Sequence, residues 1–205
     1  MIAARATLAT MPAPRRHAAF LRGVYPTNCA MPALRAAFEA AGFTDVRTVL
    51  GSGNVVFTAA GTPTALAARA EAAMAASLGR SFPTVVRPLD ELAALVAADP
   101  FAALDVPADA KPVVTFLRAA PRPAPRLPIE HEGVCVARLA DRIAFTHYRP
   151  HPKGPVFMQV IARAFGDDVT TRTWATIAKV VAAGAAVSAP AAASAARRPA
   201  PRSRR

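Results

Sequence analysis

Val46-Arg47-Thr48-Val49-Leu50, Gly51-Ser52-Gly53-Asn54, Val55-Val56-Phe57-Thr58 is the stretch that decides the fold. Two runs rich in β-branched and aromatic residues enclose a break of glycine, serine and asparagine. Glycine supplies positive φ and asparagine closes local backbone bonds, so the stretch reads as a β-hairpin. Upstream, Ala18-Ala19-Phe20-Leu21 is a short apolar run ended by Gly23, a buried first strand. Between them, Met31, Leu34, Phe38 and Ala41 form one helical stripe that Gly42 stops. Downstream, Thr62 caps a second helix with Pro63 at its first position, Leu66, Ala70, Ala73, Met74 and Leu78 on its inner face, and Gly79 at its end. Phe82 to Arg87 supplies a fourth strand. The order is βαββαβ, the split arrangement of a ferredoxin-like sheet with both helices on one side, and the fold class is α+β.

The second half is expected to be smaller and less regular. Leu89 to Ala98 reads as a short helix stopped by Pro100, and Val113 to Leu117 as a continuous apolar strand. Prolines at 121, 123, 125 and 128 mark a loop or broken helix. Val134 to Leu139 and Ile143 to Tyr148 read as a second hairpin. Phe157, Val160, Ile161, Ala164 and Phe165 make an amphipathic helix closed by Gly166. The threonine cluster Thr170 to Thr173 is expected to start a last helix carrying Trp174, Ile177, Ala178 and Val181. The chain thus divides into a flexible leader 1–16, a ferredoxin-like unit 17–99, a C-terminal unit 100–183 and an Ala/Pro/Arg tail 184–205, which cannot bury enough apolar surface to order itself.

Composition bounds the partners. The chain has 205 residues, 53% of them hydrophobic, enough for a good core. Its net charge is +12 and its pI about 11.4. Such values ordinarily point to polyanions. Eight arginines of that excess lie at the ends, at 5, 15, 16, 197, 198, 202, 204 and 205, and removing them from +12 leaves +4 on residues 17–183. Any nucleic-acid contact is therefore expected to be salt-sensitive, sequence-blind and confined to the tail. The run from Asn54 to Thr58 lacks the glycine-aromatic pattern of an RNA-recognition strand. Two cysteines, Cys29 and Cys135, are too few for a disulfide framework and fit a reducing, cytoplasmic setting. Charges or prolines interrupt each apolar run before it reaches membrane-spanning length.

Phe20-Leu21-Arg22-Gly23, Met31, Leu34, Gly42-Phe43, Val46, Thr48 and the hairpin from Ser52 to Phe57, with Phe165-Gly166, Thr171-Arg172-Thr173-Trp174, Thr176 and Lys179 near the end, form a pattern that resembles the domain-of-unknown-function family numbered 1697 (DUF1697). The resemblance implies a two-part α+β fold with a ferredoxin-like first half, and no reaction. Members usually carry an Asn-Val-Gly-Gly type loop after the first strand, where this chain has Tyr25-Pro26-Thr27-Asn28-Cys29. Thr173 stands where many relatives carry asparagine.

The chemistry-bearing candidates are few. Arg172 offers a planar fork for phosphate or carboxylate at the start of the last helix, where backbone amides carry partial positive charge. The bland alternative has Thr171 or Thr173 capping the helix and Arg172 paired with Asp167 or Asp168. Ser52 has no histidine near in sequence and no G-x-S-x-G elbow, so a turn is expected rather than a nucleophile. His131, Cys135, His147 and His151 resemble half a zinc module without its first cysteine pair, and no metal or cofactor is expected. The leading expectation is a non-catalytic protein binding a small anionic ligand through Arg22, Lys153 and Arg172 with Ser52 and Asn54. An enzyme acting on a phosphorylated or carboxylated metabolite is the alternative, requiring a base such as His147 beside those groups. Sheet-edge self-association needs neither.

Overall fold

A computed structural model describes residues 13–150, 154 and 156–186. The first half runs β1 (Arg15–Leu21), α1 (Met31–Ala40), β2 (Thr44–Val49), β3 (Asn54–Ala59), α2 (Pro63–Leu78) and β4 (Thr84–Pro88). Its antiparallel sheet has the order β2-β3-β1-β4, so the βαββαβ succession expected from the sequence is present. β1 is apolar from Ala18 to Leu21, where both its faces are covered. Ala19 and Leu21 face α1 and α2 with Leu34, Phe38, Phe57 and Met74, while Ala18 and Phe20 face the second half. Thr62 caps α2, its hydroxyl accepting from Ala65 N, and Gly79 ends it in the left-handed region, both as expected. β1 begins at Arg15, two residues inside the segment expected as leader.

The second half runs α3 (Leu89–Ala98), β5 (Lys111–Leu117), β6 (Ile129–His131), β7 (Val134–Ala140), β8 (Ile143–Tyr148), α4 (Val156–Phe165), β9 (Val169–Thr173) and α5 (Trp174–Ala185). Its sheet is β6-β7-β8-β5-β9. Two of these strands depart from the sequence reading. β6 is only three residues long and largely polar. β9 occupies the threonine cluster expected to be a helix start: β-branched threonines suit an edge strand, and here they pair with β5 from Val113 to Leu117. Only Thr173 acts as the cap, accepting from Thr176 N.

The two halves repeat one plan. With β6 set aside, the second sheet reads β7-β8-β5-β9, which is β2-β3-β1-β4 in its own succession of strands. Phe20-Leu21-Arg22 at the end of β1 corresponds to Phe116-Leu117-Arg118 at the end of β5. Backbone bonds repeat as well: Leu21 N donates to Gly53 O at 2.8 Å and Leu117 N to Arg142 O at 2.9 Å. In each half the fourth strand runs into a helix, and these two helices, α3 and α5, contribute to the core shared by the two sheets. Phe20 and Phe116 stack at 4.6 Å at its centre, a pair worth about 1 kcal/mol beyond their burial. The halves differ in one respect. Where the first has α1, the second has the proline-rich segment 118–128 and the short β6, so among the described residues α4 is the one helix on the outer face of the second sheet, with Leu127 and Ile129 packed beside it.

Candidate functional site

Arg172, Asn54 and Ser52 come together where β9 meets the β2–β3 turn. Arg172 Nε donates to Asn54 Oδ1 at 2.6 Å, its NH1 to Thr171 O at 2.7 Å, and its NH2 to Leu21 O, Ser52 O and Gly53 O at 2.7, 2.9 and 3.2 Å. Asn54 completes the knot by donating from Nδ2 to Val49 O and Ser52 Oγ. Burial pulls the guanidinium down to about 10, still well above neutral pH, so it remains a cation. Each of its nitrogens thus already faces a protein oxygen. The arrangement ties the second half's fourth strand to the first half's hairpin.

Arg22 is adjacent in the chain but turns its side chain elsewhere, to Asp167 Oδ1 at 3.2 Å. The acid expected beside Arg172 is therefore engaged by Arg22. Lys153 and His151 lie outside the described residues, as do the start of the leader and residues 187–205, including the arginine-rich tail. Among the described residues Ser52 has no histidine as a hydrogen-bond partner; its hydroxyl accepts from Asn54. His147, the base the enzyme reading requires, sits in β8 across from Cys135 and Pro112, and no hydrogen bond joins it to Arg22, Ser52 or Arg172 among the described residues. The Tyr25–Cys29 loop is closed by Asn28, whose Oδ1 accepts from Tyr25 N and whose Nδ2 donates to Gly23 O.

Two open clefts flank the second sheet. One, of about 700 Å³, is lined by His131, Cys135 and His147 together with Asp105, Glu130 and Glu132. Burial and the Glu130 charge push the Cys135 thiol up, so it rests protonated. Among the described residues no group of three or more His, Cys, Asp or Glu side chains is placed to hold a metal. The other cleft, of about 690 Å³, lies where the first half has α1. Ile129, Val160 and Phe165 give it apolar surface, and Arg122, Arg163 and His131 line it alongside Glu130. Sequence reasoning passed over it: the prolines at 121, 123 and 125 mark a loop, and only comparison with the first half shows that the loop stands in a helix's place.

The fold and these sites define an α+β protein built from two copies of one strand order around a shared core. The pattern of the family described as "Protein of unknown function (DUF1697)" matches residues 15–140, more than half of the chain, and the chain belongs to that family. The residues from Phe165 to Lys179 that also resemble it lie beyond the matched segment. None of the curated proteins matches. Among solved structures, the conserved bacterial protein SP0830 from Streptococcus pneumoniae is similar in fold, with a TM-score of 0.61 and 17% identity over 83% of this chain and 99% of that one. No helix among the described residues is long and apolar enough to cross a membrane.

Proposed function

We propose that the protein binds a small ligand carrying an anionic group on an apolar body, in the cleft that replaces α1 in the second half. The observation that carries this is the composition of that cleft: apolar Ile129, Val160 and Phe165 beside the guanidinium groups of Arg122 and Arg163, in about 690 Å³. Ligand sites are commonly of this size, mostly apolar with a few convergent polar groups. An aryl or alkyl carboxylate or phosphate matches both parts, its body on the apolar surface and its charge on an arginine fork. Of the cations singled out from the sequence, Arg172 is committed to the β2–β3 turn and Arg22 to Asp167, which favours the cleft arginines as ligand contacts. Nothing in the cleft supplies an activated nucleophile, so the reading is binding rather than catalysis. Two free thiols fit a reducing, cytoplasmic setting.

The test is calorimetric titration of the full chain with benzoate, indole-3-carboxylate and phenyl phosphate, beside Arg163→Ala and Arg122→Ala. Saturable binding to the wild type, weakened about tenfold by either substitution, supports the reading; binding indifferent to both arginines contradicts it. A tenfold loss corresponds to about 1.4 kcal/mol.

A further inference from the structure

A second cavity lies at the seam between the halves. It is small, about 50 Å³, and is lined by Pro63 and Thr64 at the start of α2, by Thr84 and Arg87 of β4, and by Arg118 and Arg142 from the second half. Three guanidinium groups line it and no carboxylate does. α2 is sixteen residues long, and its N-terminus presents the positive end of the helix dipole.

Arg87 is the decisive member. It is 6% exposed, and its Nε has no hydrogen-bond partner among the described residues. Its position in β4, opposite Ala18, is that of Arg172 in β9, opposite Val114. Arg172 Nε is satisfied by Asn54, the residue opposite Phe20, whereas the residue opposite Phe116 is Ile143, which offers no side-chain acceptor. Among the described residues Arg87 reaches Asp141, through NH2 to the carboxylate at 2.7 Å and to the carbonyl at 3.2 Å. A buried polar group left unpaired is costly, and a charged one more so. The neighbours are only partly neutralised: Arg118 meets Glu71 at 2.8 Å and Asp168 at 3.6 Å, and Arg142 NH1 donates to Arg118 O.

We infer that this seam cavity binds one small tetrahedral oxyanion of the phosphate class, held by Arg87, Arg118 and Arg142 at the start of α2. Guanidinium forks match such oxygens in geometry and charge. At about 50 Å³ the cavity takes only part of the anion, so inorganic phosphate or the terminal group of a phosphomonoester sits with some oxygens inside and the remaining one, or the ester oxygen, at its open mouth. The inference is independent of the cleft reading, since the two sites share no lining residue.

The experiment titrates the full chain with sodium phosphate, and separately with methyl phosphate, at constant ionic strength in chloride, reading heat and melting temperature. Arg142→Gly is the principal variant. Arg142 holds φ +61°, and glycine occupies the corresponding Gly53 at +71°, so the backbone accepts the change. Arg118→Lys, which keeps the charge and loses the fork, is the second variant, and Arg163→Ala in the cleft is the control. The expected result is saturable phosphate binding to the wild type and to Arg163→Ala, at least tenfold weaker in Arg142→Gly and several-fold weaker in Arg118→Lys. Binding of both anions assigns the site to a terminal phosphoryl group, and binding of phosphate alone to the free ion; either supports it. No saturable binding, or binding to Arg142→Gly equal to wild type, overturns the inference.

Discussion

Arg87 and Arg172 hold the same place in two copies of one strand order, and each sends its guanidinium across the seam to the hairpin turn of the other half. Arg172 reaches Ser52, Gly53 and Asn54 between β2 and β3, and Arg87 reaches Asp141 between β7 and β8. The reciprocity makes each half's fourth strand a strap on the other's hairpin. The two straps are unequal. Arg172 is saturated by five residues, whereas Arg87 meets one and keeps its Nε unpaired among the described residues.

Removing the saturated strap should be expensive. Arg172→Ala leaves Asn54 Oδ1 and the carbonyls of Leu21, Ser52 and Gly53 without this donor, and it opens space beside Phe20, whose ring centroid lies 5.9 Å from the guanidinium carbon. The expected loss is about 3 kcal/mol in urea unfolding. Arg172→Lys should recover little of it, because a single ammonium cannot span the oxygens that the planar fork meets.

Asn54→Leu separates the amide from the guanidinium. It strands Arg172 Nε and leaves Val49 O without its side-chain donor, reproducing at Arg172 the condition that Ile143 imposes on Arg87. A destabilisation of about 2 kcal/mol is expected, measured by the shift of the urea midpoint at unchanged slope.

Gly53→Ala should fail for a local reason. Gly53 holds φ +71°, and an added Cβ would lie 2.8 Å from Val24 Cβ and 3.0 Å from Leu21 Cβ. Positive φ costs an L-residue about 1–2 kcal/mol before that clash is counted. The expected loss is therefore above 2 kcal/mol, read as a lower melting temperature.

His17 gives the first half a pH dependence. It is fully buried, stacked on Phe57 at 5.6 Å, and neither ring nitrogen makes a hydrogen bond of good geometry. Burial, aided by the charge of Arg15 and opposed by a weak backbone contact at Arg15 and by the charge of Asp90, holds its pKa below the usual 6.5. The unfolded chain therefore binds a proton first, and stability falls as pH drops below about 6.5 toward the folded-state value. The corresponding residue of β5 is Val113, so His17→Val should flatten the melting temperature between pH 7 and pH 5, and an unchanged slope would remove His17 as the cause.

Much of the fold could be read along the chain because its punctuation is local. Gly51 to Asn54 marks a turn, Thr62-Pro63 a helix start, and Gly42, Gly79 and Gly166 helix ends, each for a steric or hydrogen-bonding reason that acts within a few residues. β9 was hidden because three threonines suit a cap and an edge strand alike, and only pairing with β5 decides between them. β6 is too short for periodicity to register. The partners of Arg172 were hidden for a different reason. Nearness in sequence suggested Asp167 or Asp168, whereas the fold gives Asp167 to Arg22 and brings Asn54 to Arg172 from 118 positions away. A trace of the repeat was visible in Phe20-Leu21-Arg22 and Phe116-Leu117-Arg118, but the missing helix and the cleft in its place emerge only when the two sheets are compared.

The direct measurement is urea unfolding followed in parallel by the fluorescence of Trp174, the single tryptophan, which packs on Phe101 in the shared core, and by hydrogen exchange of the β1 and β3 amides in the first sheet. If reciprocal arginines fasten the halves into one cooperative unit, the two probes share a midpoint in the wild type and separate in Arg172→Ala. Midpoints already apart in the wild type, or still coincident and unmoved in Arg172→Ala, would contradict the account.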